Sequence, residues 1–223
     1  MLPAVTGLAQ ESAARLGDVY INGLWENEPA QGIPWEARGN NSGSSLRMAA
    51  ARRTGQSATH APSWSWASVE GCVSWAHYTS TIDRPFCQYL FEILGLEPPV
   101  NVSTYIASHS ALLIRGVIKK CLRLIEPDNH TSTVEFRDYK EPSAFDLKIF
   151  QDQVYAEAEL CEVSYCYLLQ AAETPSSKFH QCLILEPVHP ERKVFRRIGV
   201  CETKRAWAED FFAGIDSREI HIC

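Results

Sequence analysis

Alternation of apolar and polar side chains after Pro62 is the feature that most constrains this fold. In "ALLIRGVIKKCLRLIE", residues 111–126, the even positions are nearly all apolar, and Arg115, Lys119 and Arg123 occupy odd positions. A period of two places neighbouring side chains on opposite faces of a β-strand. The segment therefore predicts one long, half-buried strand.

The same alternation recurs towards the C-terminus. In "ELCEVSYCYLLQ" it places Cys161, Val163, Tyr165, Tyr167 and Leu169 on one face. "QCLILEP" and "KVFRRIGVCE" flank "VHPER", which predicts a hairpin, and "REIHIC" predicts a closing strand. Because these strands follow one another without intervening helices, we expect a mainly antiparallel sheet, curled into a barrel or a sandwich.

Helices are predicted near both ends of the chain, so the fold class is α+β but mainly β. Thr6 can cap a helix over "GLAQESAARLG" that ends at Gly17 and carries an apolar stripe of Leu8, Ala9, Ala13 and Leu16. A second short helix is predicted over "DVYINGLW", beginning at Asp18. A third covers "RAWAEDFFAG" with its aromatic side chains inward, namely Trp207, Phe211 and Phe212.

We expect one domain built from three parts. Residues 1–38 are predicted to be a helical segment packed on the body, and residues 61–223 a β-rich body. Between them, "GNNSGSSLRMAAARRTGQSATH", residues 39–60, is rich in Gly, Ser, Asn and Ala, with three arginines and no acidic residue. This composition is typical of a flexible loop.

Charge and motifs exclude several classes of function. A net charge of −6 argues against nucleic acid as a partner. No apolar run approaches the roughly 20 residues that span a bilayer, and the N-terminus lacks the pattern of a signal peptide, so we expect a cytoplasmic protein without membrane contact. GxSxG, P-loop, GxGxxG and HExxH motifs are absent, and no cofactor is expected.

The eight cysteines are spread along the chain with no CxxC pair and no histidine at metal-ligand spacing. Thiols of this kind in an intracellular protein are usually buried, reduced and structural. We therefore predict free cysteines and no metal site.

The stretch "APSWSWASVEG", residues 61–71, carries the candidate site. Its alternation predicts a strand with Trp64 and Trp66 on one face, and Tyr165 and Tyr167 are paired in the same way on another strand. Such aromatic pairs form either a core pillar or the wall of an apolar pocket. Among seven histidines, mostly in polar segments, His77 stands out because it follows the tryptophan stretch and precedes Tyr78.

Five segments occur in the order found in the region that follows the heterokaryon-incompatibility (HET) domain of many fungal proteins: "LPAVTGLAQE", "YINGLWENEPAQGIPW", "APSWSWASVEG", "CLILEPVHPERKVFRRIGVCE" and "REIHIC". The chain resembles that region over nearly its whole length. "PSWSWASVEG" and "FRRIGV" are the most specific parts of the resemblance. In the family, the HET domain comes first and is thought to be similar to a TIR fold. Because this chain begins after that point, we expect a downstream module standing alone, without the incompatibility activity.

Some stand-alone fungal proteins of this kind act as hetero-Diels-Alderases in tropolone sesquiterpenoid biosynthesis. That resemblance implies a cofactor-free pericyclase that joins a quinone methide to a terpene alkene. Such an enzyme needs two small apolar partners held face to face, which alone contributes roughly 7 to 11 kcal/mol. Trp64, Trp66, Tyr165 and Tyr167 would bind the substrate, and His77 and Tyr78 would donate to the developing oxyanion.

Two other functions stay open at this point. The first is a non-catalytic interaction module derived from the C-terminal region of a HET-domain protein, and the second is a hydrolase whose triad has no sequence signature. A homo-oligomer is compatible with any of the three. A deep apolar cavity beside the tryptophans would favour the pericyclase, and a solid core with an exposed apolar patch would favour the module.

Overall fold

The computed structural model describes residues 2–26, 29–38, 52–53, 61–70, 72–75, 88–97, 111–126, 133–138, 148–151, 164–173 and 179–223. Most of the loop predicted over residues 39–60 lies outside this part of the chain, and its residues 52–53 form a short strand. No helix in the described part is long and apolar enough to cross a membrane.

Helices and small strand pairs make up the N-terminal part, and long strands make up the rest. The helices are α1 (Leu2–Leu16), α2 (Pro29–Gly32) and α3 (Arg205–Phe212). The small strands, paired as β1–β2, β3–β6 and β4–β5, are β1 (Tyr20–Ile21), β2 (Leu24–Trp25), β3 (Trp35–Arg38), β4 (Arg52–Arg53), β5 (Val69–Glu70) and β6 (Cys72–Trp75). The others are β7 (Gln88–Tyr89), β8 (Phe91–Glu97), β9 (Ala111–Gly116), β10 (Ile118–Glu126), β11 (Thr133–Asp138), β12 (Lys148–Gln151), β13 (Ser164–Glu173), β14 (Phe179–His189), β15 (Val194–Lys204) and β16 (Arg218–Ile222).

The long strands form one ten-stranded sheet in the order β11-β10-β13-β14-β15-β16-β9-β8, with β12 beside β15 and β7 beside β13. Its pairs are antiparallel except for β15 and β16, which run parallel at Val194↔His221 and Phe195↔Ile222. Helix α3 connects these two strands, as parallel neighbours require a crossover. The prediction of a mainly β, mainly antiparallel fold is confirmed. Among the described residues, the end strands β11 and β8 do not pair with each other.

The prediction of a single long strand over residues 111–126 is wrong, because the strand is interrupted at Val117. Before the break, β9 pairs with β8 and β16, whereas β10 after it pairs with β13 and β11. A Cβ atom on Gly116 would lie 2.8 Å from Leu169 Cδ1 and 3.1 Å from Phe91 Cβ. The strand is therefore interrupted next to a glycine at which a larger residue would require Leu169 and Phe91 to move.

Two apolar cores lie on the two faces of the sheet. On β13, Leu169 belongs to the first core and Leu168 to the second, as period-two alternation requires. The second core lies beneath α3. The first core comprises Leu24, Ile33, Trp64, Phe91, Leu112, Ile114, Ile118, Leu169, Ala171, Leu183, Leu185, Phe195, Val200, Ile220 and Ile222. The second comprises Cys121, Cys166, Leu168, Cys182, Ile184, Ile198, Cys201, Ala208, Phe211 and Phe212.

The N-terminal helix differs from the prediction in its start and in its packing. It begins at Leu2 rather than after Thr6, and it ends at Leu16 as expected. The predicted apolar stripe is only partly inward. Ala9 is buried, but Leu8 is 74% exposed and Leu16 is 65% exposed. Two leucines of α1 thus remain on the surface of the described structure.

The helix predicted over "DVYINGLW" is wrong, because this segment forms the β1–β2 hairpin. Its turn consists of Asn22 (φ 48°) and Gly23 (φ 100°), the Asn-Gly pair that two-residue hairpin turns favour. Asp18 accepts a hydrogen bond from the Val19 N–H at 2.7 Å instead of starting a helix.

Replacing Gly23 with alanine is expected to destabilise the protein by about 1 to 3 kcal/mol. Its backbone has a positive φ, and the added Cβ would lie 2.6 Å from Nε1 of Trp66. Gly7→Ala is the matched control, because a Cβ there meets nothing within 4 Å and Gly7 lies inside α1. We expect the control to be neutral or stabilising by up to about 1 kcal/mol in urea unfolding. Equal effects of both substitutions would contradict this account of the turn.

Candidate functional site

The tryptophan stretch forms a turn followed by a 3₁₀ helix, so the strand predicted over "SWSWASV" is wrong. The N–H of Ser65 donates to Pro62 O at 2.9 Å, and the N–H of Ser68 donates to Ser65 O at 3.0 Å. Pro and Ser favour such turns, and here this preference overrides the alternating pattern. Trp64 and Trp66 consequently do not share the face of a strand.

Trp64 and Trp66 both form hydrogen bonds with segments near the N-terminus. Trp64 is fully buried in the first core, and its carbonyl accepts a hydrogen bond from Nε1 of Trp35 at 3.0 Å. The half-buried Trp66 donates from Nε1 to the carbonyl of Gly23, also at 3.0 Å. The stretch therefore joins β3 and the β1–β2 hairpin to the body.

A fully buried arginine, Arg197, lies beside these tryptophans. Its guanidinium carbon is 3.6 Å from the centroid of the Trp35 ring, and its Nη2 donates to the carbonyl of Trp35. The backbone N–H of Arg197 donates to Ser63 Oγ at 2.9 Å. "PSWSWASVEG" and "FRRIGV" thus meet in space. We call Trp35, Ser63, Trp64 and Arg197 the tryptophan–arginine network.

Arg197 was missed in the sequence analysis, although a signal for it exists. The alternation that turns Phe195 inward on β15 also turns Arg197 inward. Its neighbour Arg196 lies outward and pairs with Glu186 on the surface, where Nε donates to Oε2 at 3.1 Å. Adjacent arginines in one strand face opposite sides, and Arg197 is the one on the same side as the inward Phe195.

Tyr165 and Tyr167 lie on one face of β13, as predicted, but in different surroundings. Tyr167 packs edge-on against Phe195 with ring centroids 5.0 Å apart and borders the first core, which contains Trp64. Tyr165 is 46% exposed, and Lys120 Nζ lies 4.0 Å from the centroid of its ring. The predicted donors His77 and Tyr78 lie outside the described residues. Substrate binding by the four aromatic residues stays a prediction.

Four cysteines that are distant in sequence come together in the second core. Cys121 on β10 and Cys166 on β13 are directly opposed, with sulfurs 3.3 Å apart. Cys182 on β14 and Cys201 on β15 are likewise directly opposed. All four are buried, and neither they nor the half-buried Cys223 form a disulfide. For these five residues the prediction of free thiols agrees with the structure, whereas their grouping in space was not predicted.

The environment of Cys182 differs from that of the other thiols. Burial raises the pKa of Cys182, but hydrogen bonds from Cys201 and from His180, together with the positive charge of His180, outweigh burial and lower the pKa to about 6. Donation to Cys182 raises the pKa of Cys201 well above its usual value, and burial adds to that effect. Interaction with Cys166, and then burial, raise the pKa of Cys121.

Helix α3 covers the cysteines. Ala208, Phe211 and Phe212 on α3 are buried, and the His180 ring lies 6.4 Å from that of Phe212. Lys119 contacts the C-terminal end of α3. Its Nζ donates a hydrogen bond to Phe211 O at 2.7 Å and lies 4.3 Å from the Phe211 ring centroid. Within the described ranges, no three His, Cys, Asp or Glu side chains are placed to hold a metal ion.

No family model, curated protein or solved structure matches this chain.

Proposed function

We propose that this chain is a non-catalytic protein-interaction module in which the tryptophan stretch is a structural anchor. The observation that carries the proposal is the tryptophan–arginine network. Trp64 and Trp35 are fully buried, and the hydrogen bond from the Trp35 indole ends on the Trp64 carbonyl. Indoles held in this way join segments of the protein and leave no ring face for a substrate.

We also propose that the sheet curls into a barrel. Strands β7 and β8 are separated only by Leu90, whose N–H donates to Ala171 O on β13 at 3.0 Å. β7 pairs with β13 and β8 pairs with β9, so together they act as one strand that bridges the two ends of the path β13-β14-β15-β16-β9. Such a ring leaves β10, β11 and β12 as additions outside it.

The interior of this barrel is filled by side chains. Each strand of the ring contributes to the first core, among them Phe91, Ile114, Leu169, Leu183, Phe195 and Ile220. In a barrel of this size, inward side chains occupy the interior completely. A filled interior supports the module rather than an enzyme that encloses two apolar substrates.

Helix α1 is the proposed docking element, and a HET-type domain is its proposed partner. Leu8 and Leu16 of α1 are the most exposed large apolar side chains in the described structure. Eight residues apart, they lie about two turns apart on the same side of the helix, about 80° from each other around its axis. In the fungal proteins that this chain resembles, the HET domain precedes this region, so α1 is the element nearest to it.

The pericyclase stays a second hypothesis, because two of its predicted binding residues keep accessible surface. Trp66 is only half-buried, and nearly half of Tyr165 is exposed. If these rings stack on a substrate, Trp66→Ala should slow the cycloaddition in protein that remains folded. Product formation from a quinone methide and a terpene alkene, compared with buffer alone, tests this hypothesis directly.

The module is tested by titrating the chain with a purified HET-type domain from a fungal protein of the resembled family in a calorimeter. We expect saturable binding by the wild type, and at least a tenfold weaker Kd for the Leu8→Asp/Leu16→Asp double variant. Burying one leucine is worth about 1.5 to 3 kcal/mol, which exceeds the ~1.4 kcal/mol of a tenfold change.

The matched control is Glu11→Gln/Arg15→Gln. It removes an exposed ion pair on the same helix and should leave Kd within about threefold of the wild-type value. Neither double variant should change the melting temperature appreciably, because all four side chains are exposed. Absence of binding by the wild type, or equal binding by the leucine variant, would contradict the proposal.

A further inference from the structure

We propose that Cys182 and Cys201 form a peroxide-oxidisable dithiol that closes to a cross-strand disulfide beneath α3. The two residues are direct partners in the β14–β15 ladder. Opposed residues of antiparallel strands have Cα atoms about 4.5 to 5.5 Å apart. A disulfide accepts about 4.4 to 6.8 Å, so the bond can form without separating the strands.

The two thiols of the pair have different roles. Cys182 is hydrogen-bonded to Cys201 and to His180, which lies two residues before it on the same face of β14. A histidine beside a thiol stabilises the thiolate, so Cys182 is the sulfur that attacks the oxidant, and Cys201 is the resolving thiol. The lowered pKa of Cys182 agrees with this assignment.

The imidazole of His180 can also transfer a proton during the reaction. The residue is buried, and its Nε2 atom has no hydrogen-bond partner among the described residues. A ring that contacts the attacking sulfur and keeps one nitrogen uncommitted can transfer a proton to an oxygen that leaves. We therefore assign His180 as a positioning and proton-transfer residue of the dithiol.

The chemistry balances with hydrogen peroxide as the oxidant. The Cys182 thiolate attacks one peroxide oxygen, an S–O bond forms, the O–O bond breaks, and the leaving hydroxide takes a proton to become water. The Cys201 thiol then displaces the oxygen from the Cys182 sulfenic acid, and its proton leaves with that oxygen as a second water. Two thiols and one peroxide yield one disulfide and two waters.

The groups around Cys182 define the expected pH dependence. His180 on β14 and Cys201 on β15 form hydrogen bonds with Cys182. The charge of Glu202 acts on Cys201, and Cys166 and Cys121 lie further along the sheet on β13 and β10. Helix α3 contributes Ala208, Phe211 and Phe212 to the core, and the partly buried Trp207 packs against it. Because the thiolate is the reactive form, the oxidation rate should rise with pH up to about 6 and level off above it.

The second cysteine pair is a control within the same molecule. Cys121 and Cys166 are also directly opposed, are equally buried and lie in the same core, with sulfurs 3.3 Å apart. No histidine acts on Cys121, and its pKa is raised. If strand geometry alone determined the oxidation rate, both pairs would oxidise alike. If His180 activates Cys182, only Cys182 and Cys201 oxidise rapidly.

The experiment exposes the purified chain to hydrogen peroxide at pH 6, traps remaining thiols with N-ethylmaleimide in denaturant, and maps disulfide-linked peptides by mass spectrometry. The Cys182–Cys201 disulfide should form at least about tenfold faster than the Cys121–Cys166 disulfide. The larger thiolate fraction of Cys182 outweighs its weaker nucleophilicity at this pH. His180→Gln should remove that advantage.

A second variant keeps the test decisive if His180→Gln does not fold. In Cys201→Ala the resolving thiol is gone, so Cys182 should accumulate as a sulfenic acid that dimedone labels. Lys119→Met, which releases the end of α3, should accelerate oxidation several-fold. Equal oxidation rates of the two pairs, or no dimedone label on Cys182 in Cys201→Ala, would overturn the proposal.

Discussion

Replacing Trp64 with alanine is expected to lower the free energy of unfolding by about 3 to 5 kcal/mol. The ring is fully buried among apolar side chains of the first core, so its removal leaves a cavity as well as losing transfer energy. The turn that carries it is further fixed by the bond from Trp35 Nε1 to the Trp64 carbonyl. Urea denaturation followed by circular dichroism measures the change.

Trp66→Ala is the comparison for this variant. Trp66 is half-buried, and its replacement removes one hydrogen bond to the Gly23 carbonyl together with partial packing. We expect the free energy of unfolding to fall by about 1 to 2 kcal/mol. A Trp64→Ala protein as stable as the wild type would show that the ring is not part of the core. It would also remove the basis for treating the stretch as an anchor.

Replacing Arg197 with methionine is expected to lower the free energy of unfolding by a similar amount, about 3 to 5 kcal/mol. The substitution removes a guanidinium stacked on Trp35, worth about 2 kcal/mol when desolvated. It also removes the donor that satisfies the buried Trp35 carbonyl, which adds about 1 to 3 kcal/mol. Methionine preserves most of the volume, so the change reports on these polar contacts rather than on a cavity.

The neighbouring Arg196→Met is the matched control. Arg196 pairs with Glu186 at the surface, where an ion pair contributes about 1 kcal/mol or less. Arg197→Lys should recover only part of the loss, because an ammonium lacks the planar fork that stacks and donates at the same time. Equal stability of the Arg196 and Arg197 variants in denaturant titration would contradict the assigned network.

Segments with strong, uninterrupted patterns were predicted well from sequence. The β14–β15 hairpin around "VHPER", the short helix α3 and the closing strand β16 all appear where alternation and turn residues placed them. In each, local preference and tertiary packing favour the same structure. Ile220 and Ile222, for example, are both buried, as the alternating pattern requires.

Two errors arose where a short signal opposed the assumed pattern. The Asn22-Gly23 pair is a hairpin signal that outweighs the helical reading of "DVYINGLW", because both residues adopt positive φ. In the tryptophan stretch, Pro62 and Ser65 close a turn that alternation alone does not reveal. Short segments provide too few periods for alternation to outweigh turn chemistry.

The cysteine pairs could not be derived from spacing along the chain. Cys182 and Cys201 each lie seven residues from the first hairpin pair, His189 and Val194, because the two register shifts, between Ile184 and Leu185 and between Pro187 and His189, compensate each other. Bulges are set by packing, and either shift alone would have changed the pairing of every residue beyond it, so the sequence could not establish that the two cysteines are opposed. The burial of Arg197 was accessible from alternation, but its contact with Trp35 depends on how the N-terminal segment folds back.

Hydrogen–deuterium exchange of this chain, with and without a purified HET-type domain, tests the interaction module most directly. We expect binding to slow exchange in α1, around Leu8 and Leu16, and to leave exchange in the strands of the first core unchanged. Slowed exchange confined to residues 63–68 and β13, or no change in α1 at saturating partner, would contradict the interaction module.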